Sequence, residues 1–388
     1  MATTTLTARY LITDIGSIEF PVITLSSDGT ITDISSDPRA LANERDTLTA
    51  AFFDIHTHGA MGHDVMQSSP AELGEMQRFL ATRGVAHYLP TTVTASVDAT
   101  LSALEALANA IEAEPRDGEA QPVGIHLEGP FLSHAKRGVH PPNDLQPPSI
   151  TLFDRFQSAA RGHIALMTIA PELPGAVGLI AHAHRQGVKL SLGHTNATAA
   201  DAIAGIGAGA NSATHTFNAM RPLDHREPGI LGTVLDPRPD HAPLFAELIC
   251  DGVHVAPPLV RLWLKAKGLD LAILVTDAMS AAGMPDGDYT LGHFAVKVAH
   301  GRALLAEDLA AGKETLAGSV LTMDRAVANL QRYTNAPLGD AARLASHNPA
   351  AMLGRPELTR LAPGSLANLN RFDAKNNLVA TYVRGRAI

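Results

Sequence analysis

The sequence predicts an α/β protein: a parallel (β/α)8 TIM barrel with a small discontinuous β-sandwich domain contributed by both termini. Three observations carry this. From about residue 51, eight short apolar runs alternate with helix-length patterns. Strand-like segments stand before and after that alternation. Metal-capable or acid–base side chains close the apolar runs at one end only, as barrel enzymes require.

The first part of the small β domain, 1–49, reads as strands at 10–14, 21–25 and 30–32, with the turn Ser27-Asp28-Gly29 before the last. The barrel domain, 50–355, holds apolar runs at 51–55, 86–93, 122–127, 164–169, 188–192, 211–216, 244–250 and 271–276. Helical patterns lie between them at 71–83, 99–113, 149–160, 176–186, 197–208 and 257–267, whereas 217–243 is loop-rich and marks its helix poorly. Two more helices, near 319–333 and 339–353, lead to strands at 365–372 and 378–383 in the closing part of the β domain, 356–388. A doubly wound open sheet predicts a Gly-rich loop after the first strand, where this chain has His56-Thr57-His58.

Composition narrows the function classes. The chain has 388 residues, 45% hydrophobic and 18% charged, as in ordinary globular domains. Its net charge of −9, without a basic run, argues against nucleic acid as a partner. No apolar stretch approaches the ~20 residues of a membrane helix, and no signal peptide is visible. The one cysteine, Cys250, follows Leu248-Ile249, suits a reducing cytoplasm and reads as a buried inert thiol.

The chemistry sits at the run ends: His56 and His58, Glu128, His194, His215, His254 and Asp277. Residues two apart in a strand share a face, so His56 and His58 leave the first strand side by side. Imidazoles with a carboxylate suit Zn²⁺, and Fe²⁺, Co²⁺, Mn²⁺ or Ni²⁺ take the same donors. A metal with an open position lowers the pKa of bound water to roughly 7. Asp277, at the end of the last run, is the candidate to move the water proton. The pattern points to metal-assisted hydrolysis of an amide-type bond.

Taken in order, Asp54-Ile-His-Thr-His-Gly59, Gly124-Ile-His-Leu-Glu-Gly-Pro-Phe131, Gly193-His-Thr-Asn-Ala-Thr198, Thr214-His-Thr-Phe-Asn-Ala-Met220, His225-Arg-Glu-Pro-Gly229, Asp251-Gly-Val-His254, Val275-Thr-Asp-Ala-Met279 and Leu316-Ala-Gly-Ser319 resemble the N-acetylglucosamine-6-phosphate deacetylase family of the amidohydrolase superfamily. The resemblance implies that Glu128, His194 and His215 hold a principal ion, and that His56 and His58 hold a second with Glu128 bridging. It implies catalysis by Asp277 and polarisation of an acetamide by His254. Asn218 and Ala219 would cradle a sugar phosphate, Arg226 would reach that phosphate across a homodimer interface, and His140 would face substrate from a mobile loop. The substrate implied is a phosphorylated amino sugar, and the product pair acetate and amino-sugar phosphate. The same hydrolysis of N-acetylgalactosamine 6-phosphate or a related N-acetyl sugar stays open, as do another cyclic-amide or N-acyl hydrolase and a non-catalytic barrel. Ala60-Met61-Gly62-His63 replaces a glycine run usual in the family, which bears on the shape of that side of the pocket.

Overall fold

The computed structural model describes residues 4–40 and 45–388. Positions 1–3 and 41–44 of the expected N-terminal segment lie outside the described residues. Eight parallel strands form one sheet: β1 (Phe52–Thr57), β2 (Val85–Thr92), β3 (Ile125–Glu128), β4 (Ile164–Ile169), β5 (Lys189–Leu192), β6 (Ala210–Ala213), β7 (Phe245–Ile249) and β8 (Ala272–Val275). Each pairs with the next in chain order. The ring closes where Thr57 bridges Ala278, supported by Asp277 N–H donating to His56 C=O at 2.8 Å and His58 N–H to Ala278 C=O at 2.7 Å. All eight apolar runs are strands because their side chains are buried on both faces, inside the barrel and under the helices.

Helices Pro70–Thr82, Val97–Glu112, Ile150–Ala159, Ala176–Arg185, Ala199–Gly207, Gly229–Leu235 and Pro257–Leu271 cover the barrel. The central core runs from β1 through Phe153, Phe156 and Trp263 to the last helices, each fully buried large side chain stabilising by roughly 1.5–3 kcal/mol. Ser69 caps the first helix with Glu72 answering in a capping box, and Thr198 with Asp201 does the same for the helix after β5. Each cap is worth ~1 kcal/mol. Thr198 thus closes the Gly193–Thr198 motif for a structural reason.

Two of the expected elements differ. The single helix expected at 339–353 is two, Leu338–Ala345 and His347–Leu353, broken at Ser346. The break places Pro349 in a first turn, where its missing N–H and its ring cause no clash. Asn348 then donates to the carbonyls of Leu269 and Ala272 at 2.7 and 2.6 Å, fixing the entry to β8. The second difference is an antiparallel meander after β8, Gly287–Leu291, Phe294–Ala299 and Arg302–Leu305, which packs its own cluster of Leu291, Val296 and Val298 against Met279 and Val139.

Apart from a short strand, Gln121–Pro122, beside β2 and a hairpin of Gly59–Ala60 with His63–Asp64, the remaining strands form two sheets. One contains Thr4–Thr7, Pro21–Leu25 and Ile31–Ser36; the other joins Tyr10–Thr13, Gly16–Glu19 and Thr47–Ala50 to Leu369–Phe372, Leu378–Val383 and Arg386–Ala387. Leu6, Ile23 and Ile31 from the first pack on Leu11, Leu48 and Leu369 from the second, the arrangement of a β-sandwich. We propose that this unit is the small domain, with boundaries near residues 49 and 356. Among the described residues, no helix is long and apolar enough to cross a membrane.

Candidate active site

The C-terminal ends of the barrel strands converge on one cavity of about 400 Å³, lined among others by His58, Glu128, His140, His194, His215 and Asp277. Three of these residues have left-handed backbones just past their strands: His194 at φ 46°, His215 at 26° and Asp277 at 49°. Such a conformation is costly for a residue with a Cβ and collects at functional sites. Here it ends each strand abruptly. Gly318 serves the same corner: at φ +61°, an added Cβ there would meet the Asp277 carbonyl at 3.1 Å.

Glu128 is the hub. Its Oε1 lies 3.3 Å from His194 Nε2, 3.2 Å from His215 Nε2 and 3.5 Å from His56 Nε2. Its Oε2 lies 3.3 Å from His58 Nε2 and 3.6 Å from His140 Nε2. Asp277 Oδ1 faces the same pair, 3.1 Å from His58 Nε2 and 3.5 Å from His56 Nε2. Glu128 and the His pair are buried, and Asp277 is 8% exposed.

Electrostatics in this pocket favours positive charge. Burial would pull the His58 imidazolium down, but its hydrogen bonds to Asp277 and Glu128 outweigh that and raise its pKa to about 9. Burial would likewise raise Glu128 and Asp277, yet the charge on His56 and their imidazole hydrogen bonds hold both carboxylates below their ordinary range. His140 goes the other way: burial and the neighbouring His194 lower it to about 4, leaving the ring neutral.

The residues fit a divalent metal on the direction of their lone pairs. The Nδ1–H groups of three rings are already committed: His56 to Glu247 Oε2 at 3.1 Å, His58 to the Thr91 carbonyl at 2.9 Å and His194 to the Lys136 carbonyl at 2.9 Å. With Nδ1 so committed, each ring would offer its Nε2 lone pair to an ion that displaces the proton there, beside Glu128. His194 and His215 bring their Nε2 atoms within 3.1 Å of each other, close enough for one ion to take both. His56 Nε2 and Glu128 Oε1 are buried without a hydrogen-bond partner. Two groups could each hold an ion, His56 with His58 and Glu128, and Glu128 with His194 and His215.

On the substrate side, His254 lines the cavity and directs Nδ1 to Asp251 Oδ2 at 2.6 Å. Asp251 also accepts from the N–H groups of Val253 and His254, both at 2.8 Å. Burial alone would raise Asp251, but His254 and these N–H groups keep it ionised. Asn218 and Ala219 line the same cavity; Asn218 donates to the His215 carbonyl at 3.2 Å, and Ala219 has φ 50°. His140 lies on the loop between β3 and the next helix and lines the cavity. It is buried, takes the Thr94 N–H on Nδ1 at 3.2 Å and so aims its Nε2 proton at Glu128.

Arg226 is not brought to the cavity. It is exposed on the 221–228 loop, which Glu227 anchors by accepting the N–H groups of Ala199 at 2.9 Å and Gly229 at 3.1 Å. Met61 and His63 also stay out of the cavity lining: Met61 packs on the core and His63 Nε2 bonds Glu75 at 3.0 Å. The departure from a glycine run thus puts no side chain into the cavity wall.

Sequence reasoning gave no role to Asp251 or Glu247. The signal for Glu247 was a lone carboxylate inside the apolar run 244–250. It also missed the wall that Leu291, Thr315 and Leu316 of the meander region build over the cavity.

Comparison with known proteins agrees with this geometry. Residues 47–388 match the amidohydrolase family. The chain is 34% identical over 373 residues to N-acetylglucosamine-6-phosphate deacetylase of Vibrio furnissii, covering 95% of this chain and 90% of that one. It is 36% identical over 385 residues to N-acetylgalactosamine-6-phosphate deacetylase of Escherichia coli O157:H7, covering 98% of each. A solved structure of a mutant N-acetyl-D-glucosamine-6-phosphate deacetylase from Mycobacterium smegmatis, in complex with N-acetyl-D-glucosamine-6-phosphate, superposes with a TM-score of 0.90 at 33% identity, over 100% of this chain and 99% of that one. The chain belongs to the amidohydrolase family and, within it, to the N-acetylglucosamine-6-phosphate deacetylase family.

Proposed function

We propose that this enzyme hydrolyses the acetamide of N-acetyl-D-glucosamine 6-phosphate, releasing acetate and D-glucosamine 6-phosphate. The observation that carries the reading is the convergence of Glu128, four imidazoles and Asp277 on one cavity, in a chain with relatives named for that reaction. Glu128, His194 and His215 would hold the principal divalent ion, Zn²⁺ being the metal their donor set suits best. His56 and His58, with Glu128, would hold a second. Bound there, such an ion supplies Lewis-acid polarisation and a water acidic enough to attack at neutral pH.

The chain's own groups then account for proton movement. Asp277, held ionised by its neighbours, accepts the proton of the attacking water on a carboxylate oxygen. The same oxygen returns it to the departing amine, so that C–N cleavage releases a neutral amino group. His254, its Nδ1 held by Asp251, would present Nε2 to the acetamide oxygen and stabilise the charge that oxygen gains. His140 keeps a neutral N–H on Glu128 and so fixes that carboxylate's rotation. Asn218, the Ala219 backbone and, from a partner subunit, Arg226 would bind the phosphate.

Two expected results follow from these roles. Arg226→Ala should raise KM for the phosphorylated sugar by about tenfold or more, since a charge-assisted hydrogen bond is worth ~1.5–3 kcal/mol. The non-phosphorylated sugar should change little, and an equal effect on both would remove Arg226 from the phosphate site. The His56→Ala/His58→Ala protein should lose metal stoichiometry while keeping part of its turnover. Loss of all bound metal would instead make the pair the primary site.

A second reading, the same hydrolysis of N-acetylgalactosamine 6-phosphate, is favoured by the 36% identity to a relative of that name over 98% of both chains. The two sugars differ in one hydroxyl orientation, and kcat/KM measured on each decides between them.

A further inference from the structure

One fully buried carboxylate of the barrel takes no part in the roles above. Glu247 sits in the middle of β7, in Phe-Ala-Glu-Leu-Ile, and is 0% exposed. Its neighbours along the strand are apolar, so an ionised carboxylate there is costly unless something returns the energy. Two groups address one of its oxygens. Oε2 lies 3.1 Å from His56 Nδ1 and accepts the backbone N–H of His215 at 3.2 Å. Its backbone carbonyl takes the Thr216 N–H at 2.8 Å, which keeps β6 and β7 in step at the site. Oε1 is buried with no hydrogen-bond partner among the described residues.

We infer that Glu247 is a positioning residue that sets the tautomer and the donor strength of His56 and, through the His215 main chain, ties the two ion-holding groups together. By accepting the Nδ1 proton, the carboxylate forces the bare lone pair of His56 onto Nε2, the atom facing Glu128 and Asp277. A carboxylate on one ring nitrogen also makes the other a stronger donor. A cation across the ring would in turn offset the cost of the buried charge. The inference rests on the reading that His56 and His58 hold an ion. A plain strut between β6 and β7 would need only the acceptor for the His215 N–H, which a neutral amide provides as well.

Glu247→Gln and Glu247→Leu separate these accounts. Both proteins, with wild type and His56→Ala/His58→Ala, are stripped with a chelator and titrated with Co²⁺. The visible spectrum, metal content and melting temperature are then recorded. The double-histidine protein identifies the ion that belongs to the pair. In Glu247→Gln, the Kd of that ion should rise ~10–100-fold, with the Kd of the other ion and the melting temperature unchanged. Glu247→Leu should lose the pair's ion altogether. Wild-type Kd values for both ions in both variants would overturn the inference, as would equal weakening of both ions. If the double-histidine protein itself keeps the wild-type number of ions, the reading of the pair fails and Glu247 falls with it.

Discussion

Asp277→Asn is expected to lose ~10²–10⁴-fold in kcat, the range for removing a positioned acid–base group. Asparagine keeps the size of the side chain and the oxygen that faces His58 at 3.1 Å, so an ion at Glu128, His194 and His215 should stay. What disappears is a base able to take a proton and hand it on. The backbone contacts that hold the residue, its N–H to His56 and its carbonyl from Ser319, do not involve the side chain. Steady-state acetate release alongside metal content checks this. Near-normal turnover with full metal would remove Asp277 from the mechanism.

Glu128→Ala carries the other large effect. Glu128 is the carboxylate common to both ion-holding groups, with four imidazole nitrogens within 3.5 Å of its two oxygens. Without it, the pocket is a cluster of buried rings with Asp277 and Glu247 as the carboxylates left beside the pair. Metal content should drop toward zero and activity with it, whereas the His-pair variant should retain an ion. A Glu128→Ala protein that keeps one full equivalent of metal would show that the bridging assignment is wrong.

Much of this arrangement was legible in the sequence, for physical reasons. A strand buried on both faces must read as a short apolar run, and all eight runs became barrel strands. Active-site residues of a barrel collect where those runs end, so the ends pointed to Glu128, His194, His215 and Asp277 before any distance was known. The break at Ser346 was hidden because 339–353 keeps a helical apolar pattern, although Pro349 marks it in hindsight. The meander at 287–305 went unread because its strands are short and partly exposed. Its turns at Gly292 and at His300-Gly301, all with positive φ, were the available signal. Glu247 was missed because a carboxylate within an apolar run acquires meaning only from its partners, and those lie 191 residues away at His56 and 32 away at His215. Arg226 shows the reverse case, a motif residue that one chain alone does not bring to the cavity.

The central claim is that metal held by Glu128, His194 and His215 is required to release acetate from an N-acetylhexosamine 6-phosphate. The most direct measurement is metal analysis of the purified protein joined to an acetate-release assay on both epimers, before chelation, after chelation and after reloading with Zn²⁺. The account predicts between one and two first-row ions per chain, faster release from N-acetylglucosamine 6-phosphate, loss on chelation and recovery on reloading. Full acetate release by metal-free protein, or none from either sugar by the metal-loaded protein, would contradict it.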